Sequence, residues 1–209
     1  MIEPSGLYYP NRIARAFFGA MDDVMGQNGL ATLLGLAGLD AHQGSPPPAT
    51  LAREFDFAAI AAINVALEEM YGVRGGRGIA LRIGQATFAQ GIKTFGVMRA
   101  MRDPVYRALP LPKRARYGID AFALLLSHFT DQQSHIREEA NAWLFVSDVS
   151  PFAWGRMSNK PVCHMMTGML IETLRWASNG YEFYVRETAC TAAGHDACVF
   201  RINQTPIGK

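Results

Sequence analysis

Apolar residues recur at three- and four-residue steps through the first two-thirds of this chain, and at a different period after that. Ile13, Ala16, Phe17, Ala20, Met21 and Val24 share one helical stripe that Pro10 is placed to start. Gly26 and Gly29 punctuate it, and Leu30–Leu39 continues as a second, very apolar helical piece. Asp56 is a capping residue for a helix running to about Tyr71, with Phe57, Ile60, Ala61, Val65, Leu67 and Met70 on its apolar positions. The chain then turns at Gly72–Gly76 and enters a long helix to about Val97, in which the small residues Gly78, Gly84 and Gly91 suit close helix packing. Pro104, Pro110 and Pro112 break the next segment, and a helix from about Pro112 to Phe129 carries Ile119, Phe122, Ala123, Leu125 and Leu126.

From Ser134 the pattern is that of strands. I-R-E-E-A-N-A-W-L-F-V-S-D-V reads as a hairpin turning near Glu139–Asn141, followed by the loop P-F-A-W-G-R-M-S-N-K-P. Cys163 opens a strong helix with Met166, Leu170, Leu174 and Ala177 on one stripe, ending at Asn179–Gly180 in a C-cap. A second hairpin, Val185–Ile202, closes the chain. Helices, hairpin, helix, hairpin define an α+β domain: a twisted antiparallel sheet built from two hairpins and covered by helices. The linker G-S-P-P-P-A-T, Gly44–Thr50, separates an N-terminal helical arm, 1–50, from a main domain, 51–209.

Composition narrows the function classes. The 209 residues are 49% hydrophobic and 18% charged, which leaves apolar surface for a pocket or a partner. A net charge of +2, with Lys113–Arg116 as the one short basic cluster noted, gives no footprint for nucleic acid. Met1–Pro10 has neither a basic start nor an apolar run, and no uninterrupted apolar stretch approaches the ~20 residues of a bilayer span, so the expected compartment is the cytoplasm. Three cysteines cannot all pair as disulfides. The G-x-x-G spacings near Gly72–Gly84 do not follow a strand and lack a Gly-Lys-Ser/Thr, so a phosphate cradle is not expected.

Candidate chemistry concentrates in the last hairpin. Cys190 and Cys198 flank its loop, Glu187 precedes the first, and Cys163 sits at the start of the preceding helix, where a thiol is favoured as a ligand. Four such donors close a tetrahedral zinc site of the structural kind. Glu187 and Cys190 have opposite parity in a regular strand, so a shared ion requires a distortion at Thr188–Ala189. The competing reading is that the cysteines are small buried hydrophobes.

Read together, E-T-A-C-T-A-A-G-H-D-A-C-V-F and the upstream P-V-C-H resemble the 4-vinyl reductase domain family, and are similar to the ligand-sensing domains of phenol-responsive transcription activators. G-R-G-I-A-L-R-I-G and L-P-L-P-K also look like this family, and the resemblance covers roughly Phe57–Asn203. It implies a fold related to the small subunits of the eukaryotic vesicle-tethering complex, often dimeric. It also implies Zn2+ on Cys163, Glu187, Cys190 and Cys198, with His164 or His195 as the substitute if one is wrong.

The function expected from it is a zinc-braced module binding a small hydrophobic molecule (hydrocarbon, aromatic or tetrapyrrole) as sensor or carrier. Phe122, His128, Trp143, Phe145 and Trp154 are the pocket candidates, and a homodimer and a separate signalling or biosynthetic partner are expected. The family also suggests an enzyme or accessory protein in vinyl reduction of a bacteriochlorophyll precursor. No dinucleotide, flavin or iron–sulfur signature supports catalysis by this chain alone. A dimeric scaffold or tethering protein is the third reading.

Overall fold

The computed structural model describes residues 2–209. Strand β1 (Tyr8–Pro10) leads into α1 (Asn11–Leu36), and β2 (Arg53–Asp56) leads into α2 (Phe57–Gln90). The long helices are each broken at one glycine, Gly26 (φ 72°) and Gly72 (φ 68°), where a left-handed backbone interrupts the hydrogen-bond ladder. The helix expected to end at Tyr71 does end there, and the chain restarts after one residue rather than after a five-residue turn.

The second half of α2 stops at Gln90, not near Val97. Beyond it Ile92, Phe95, Met98 and Met101 are all buried. Their strict three-residue spacing suits 3-10 geometry better than a 3.6-residue helix, and the chain takes a series of short turns. These include α3 (Gly96–Arg99) and α4 (Pro104–Arg107), the latter capped by the Asp103 carboxylate. Helix α5 (Leu111–Phe129) follows, then β3 (Ser134–Glu139), β4 (Ala142–Ser147), α6 (His164–Ser178), β5 (Glu182–Ala189) and β6 (Cys198–Gly208). Asn179 ends α6 in the left-handed conformation.

The main sheet is antiparallel in the order β3-β4-β6-β5, so the two expected hairpins join through β4 and β6. Cys198, Phe200 and Ile202 on β6 face the helices and are fully buried. They lie opposite Ser147, Phe145 and Trp143 of β4. The pair β1–β2 forms a second, two-stranded sheet that the hydrophobic pattern does not reveal, because strands of three and four residues carry too little alternation.

That small sheet secures the N-terminal arm. Asp131 accepts the Tyr8 N–H at 2.7 Å and an Arg53 N–H at 2.7 Å. Asp56 caps α2 and also accepts N–H groups of Ser5 and Gly6. The arm packs on the body, with Tyr9, Ile13, Phe17, Phe18 and Met21 in the same buried cluster as Ile60, Phe122 and Phe200. Helices α2 and α6 cross with their backbones in contact. A Cβ added to Gly84 would lie 2.0 Å from the Met165 carbonyl oxygen, and one on Gly168 2.1 Å from that of Leu81. Gly91 likewise abuts Ala16, whereas Gly78 faces open space and has no packing role.

Candidate metal centre and aromatic wall

Local sequence brings the four candidate ligands to one end of the sheet. The N–H of Cys163, the residue before α6, donates to Glu187 Oε2 at 2.8 Å. Glu187 opposes Phe200 on β6, and Ala189 opposes Val199, so two β5 steps match one β6 step and the strand bulges at Thr188. The bulge puts Glu187 and Cys190 on the same side, the distortion their parity demanded. Cys190 then enters a loop closed by a 3-10 turn (Thr191–Ala193) and Gly194 at φ 85°. Cys198 opens β6 at its far end.

The three sulfurs form a triangle with edges of 3.6, 3.8 and 3.8 Å. Thiolates about 2.3 Å from a tetrahedral zinc would stand about 3.8 Å apart. With a Glu187 oxygen, all four donor atoms lie within 4.8 Å of one another, and all four residues are buried. Glu187 Oε1 has no hydrogen-bond partner despite its burial. An orphaned carboxylate oxygen beside three sulfurs fits a cation better than a set of inert core cysteines.

The electrostatics agree. Burial, and then the neighbouring thiols and the Glu187 charge, push the Cys163 thiol well above its usual range. Burial and the Cys190 charge raise Glu187 to about 8. Hydrogen bonds from Cys163 and Cys190, joined by the N–H and hydroxyl of Thr191, hold Cys198 down at about 4. Four acids packed this closely cannot all ionise without a positive charge between them.

Neither substitute histidine joins the group. His164 is half-buried, with its ring pushed down to about 4 by burial and Arg77. His195 is exposed, its Nδ1 3.2 Å from the Cys190 carbonyl oxygen.

Of the five pocket candidates the structure brings three to one region. Phe122 of α5 stacks on Phe145 of β4 with ring centroids 5.9 Å apart, Phe88 and Phe200 meet them edge-on, and Trp143 lies two residues before Phe145 on its strand. His128 is exposed at the end of α5, edge-on to Phe129. Trp154 is half-buried in the β4–α6 loop, its Nε1 donating to the Glu3 carbonyl.

Two surface clefts lie elsewhere. One of about 520 Å3 is lined by Arg15, Phe18, Leu34 and His42 between the halves of α1 and the following loop. The other, about 530 Å3, is lined by Val97, Met101, Tyr106, Leu109 and Tyr117. Sequence reasoning also missed the buried chain Tyr9–Gln132–Ser147, in which the Tyr9 hydroxyl donates to Gln132 and Gln132 donates to Ser147. It ties the N-terminal strand to the residue opposite Cys198, and no local spacing signals it because its members come from three distant segments.

An antiparallel sheet covered by helices, with a buried group of three cysteines and a glutamate beneath its last hairpin, defines the class of protein. Residues 148–204, which carry every candidate ligand, match the vinyl-4-reductase domain. Among solved structures, the H-NOX protein from S. oneidensis in the Fe(II)NO ligation state shares this fold at 16% identity. The match covers 90% of this chain and 97% of that one at a TM-score of 0.56. The unliganded Fe(II) H-NOX protein from K. algicida is 14% identical over 93% and 95% of the two chains, at a TM-score of 0.55. The phenol-responsive sensory domain of the transcription activator PoxR, solved with phenol, is 20% identical over 73% and 77%, at a TM-score of 0.46. No curated protein matches the chain by sequence. No helix among the described residues is long and apolar enough to cross a membrane.

Proposed function

We propose that this chain is a zinc-braced binding module for a small hydrophobic molecule, acting as a sensor or carrier. One observation carries the reading. Phe145, Phe200 and Glu187 form a single cross-strand row of the sheet, so the ligand cluster sits at the end of the row that forms the aromatic wall. An ion on Cys163, Glu187, Cys190 and Cys198 would lock α6 to β5 and β6 and hold that wall in register. Phe122, Trp143 and Phe145 are the ligand-facing residues of the proposal; His128 and Trp154 lie outside this wall and are left out of it.

The space for a ligand would come from repacking. Met98, Met101, Met165, Met166 and Met169 are buried in the same core as these rings, and unbranched thioethers rearrange around varied apolar shapes. The vinyl-4-reductase domain match supports a binding module, and the choice of module over enzyme rests on the site, which offers closed ligation and no open metal position.

The H-NOX proteins of similar fold are described by haem distortion and iron ligation states. A haem iron in this core would need a buried axial imidazole. His128, His135 and His195 are exposed and His42 and His164 are half-buried, so these residues do not fit that cofactor.

Native mass spectrometry of protein purified from its own host tests the reading. A co-purifying apolar molecule, absent from a Phe122→Trp variant that fills the wall, is expected. Protein that carries zinc but no molecule, and that binds none of a panel of phenols, alkyl aromatics and tetrapyrroles, would defeat it.

A further inference from the structure

Away from the metal cluster, three cations converge on one indole. Arg102 lies 4.9 Å from the Trp176 ring centroid, Lys93 5.6 Å and Arg107 5.7 Å. They come from three consecutive turns, while Trp176 sits near the end of α6, fixed by its Nε1 donating to the Met98 carbonyl at 3.4 Å. Among the described residues none of the three has a carboxylate oxygen within 4.0 Å. Arg107 bonds a neutral group, Asn179 Oδ1. Glu172, the nearby acid of α6, pairs with Arg175 instead.

Like charges gathered this closely repel one another, and what surrounds them does not compensate. The ring face attracts each cation only weakly where water reaches it. The C-terminus of α6 offers about half a negative charge, and its last carbonyls are already taken by the N–H groups of Asn179 and Gly180. The wider segment has the same bias: residues 93–116 hold seven of the twenty Lys/Arg and one of the eighteen Asp/Glu. The chain's small net charge conceals this asymmetry.

We infer that the Lys93–Arg102–Arg107 cluster on Trp176 is a binding site for an oxyanion, a phosphate or carboxylate group, independent of the metal centre and of the aromatic wall. Guanidinium groups present paired donors that match such oxygens, and the indole holds them as a preformed platform. The apolar cleft of about 530 Å3 is built on the same short-turn segment, through Val97, Met101 and Tyr106, and would seat the body of an oxyanion-bearing amphiphile.

Two probes separate the sources of the oxyanion: inorganic pyrophosphate by titration calorimetry, and phosphatidylglycerol vesicles by co-sedimentation. Each is applied to the intact chain, to Arg102→Gln/Arg107→Gln, and to the charge-matched Arg137→Gln/Lys160→Gln. Losing two charge-assisted contacts should weaken binding by about tenfold or more, and the matched variant should bind like the parent. The change in Trp emission on binding should vanish in Trp176→Phe. Pyrophosphate binding identifies a soluble anion; binding to vesicles alone identifies a lipid headgroup. Equal losses in the two double variants, or no binding of either probe by the parent, would overturn the site.

Discussion

A carboxylate three residues ahead of a cysteine in a regular strand points away from it, and only the bulge at Thr188 turns Glu187 and Cys190 to the same side. The need for a distortion there is legible from parity alone; its position and the convergence of Cys163 across a helix are not. If the four residues hold zinc, elemental analysis should find about one ion per chain. Cys190→Ser should lose it, with a stability loss of at least about 3 kcal/mol, because closed ligation contributes folding free energy directly. For a chain of this length that is a fall in Tm of roughly 6–12 °C.

Glu187→Gln keeps the shape and removes the charge, so weakened zinc retention with the fold intact is its expected outcome. Metal binding displaces protons from thiols and the carboxyl, so zinc should be released as pH falls, read with a chromophoric chelator. A metal-free preparation as stable as the parent would show that no ion braces the fold.

Asp56 carries a separate acid-dependent effect. Burial raises its carboxyl, but hydrogen bonds from Ser5, Ala58 and Gly6 outweigh that and hold it below the ordinary carboxylate value. A lowered folded value means the contribution is complete above the unfolded value and is lost as pH falls through the folded one. Asp56→Asn still caps α2 but has no such charge, so its stability should vary less between pH 5 and pH 2 (about the window of an aspartate titration), measured by urea unfolding. An unchanged acid limb would count against it.

At the scale of elements, most boundaries follow from periodicity and capping chemistry. The exceptions have identifiable causes: a three-residue period between Ile92 and Met101 that mimics the tail of a helix, and two strands too short to alternate. Helix contacts divide in the same way. Three glycines at Gly78, Gly84 and Gly91 look alike in sequence, yet only Gly84 and Gly91 meet a neighbour. Gly84→Ala should cost about 3 kcal/mol or more, because the Met165 backbone cannot yield as a side chain does. Gly78→Ala should stabilise by about 0.5–1 kcal/mol through helix propensity. Thermal melts of the pair give the contrast, and equal effects would contradict the packing described.

For the whole molecule, the arm is structural. Tyr9, Ile13, Phe17, Phe18, Met21, Leu33 and Leu34 are all buried in the common core. At about 1.5–3 kcal/mol for each such side chain, their removal exceeds the roughly 5–15 kcal/mol that holds a typical domain together. Residues 51–209 alone should therefore show helix by far-UV dichroism but no cooperative melt. A sharp transition in that fragment would show the linker to be a true domain boundary.

By itself the sequence determined the α+β class, most helix limits, the two hairpins and the identity of the four candidate ligands. These depend on local period, on capping residues and on rare residue types. Tertiary structure decided what depends on distance between remote segments. It set the sulfur triangle and orphaned Glu187 oxygen, the backbone crossing at Gly84 and Gly168, and the buried chain from Tyr9 to Ser147. It also gathered three cations on Trp176. Contacts of this kind arise from chain reversal and close packing, which bring together residues whose spacing along the chain carries no trace of their meeting.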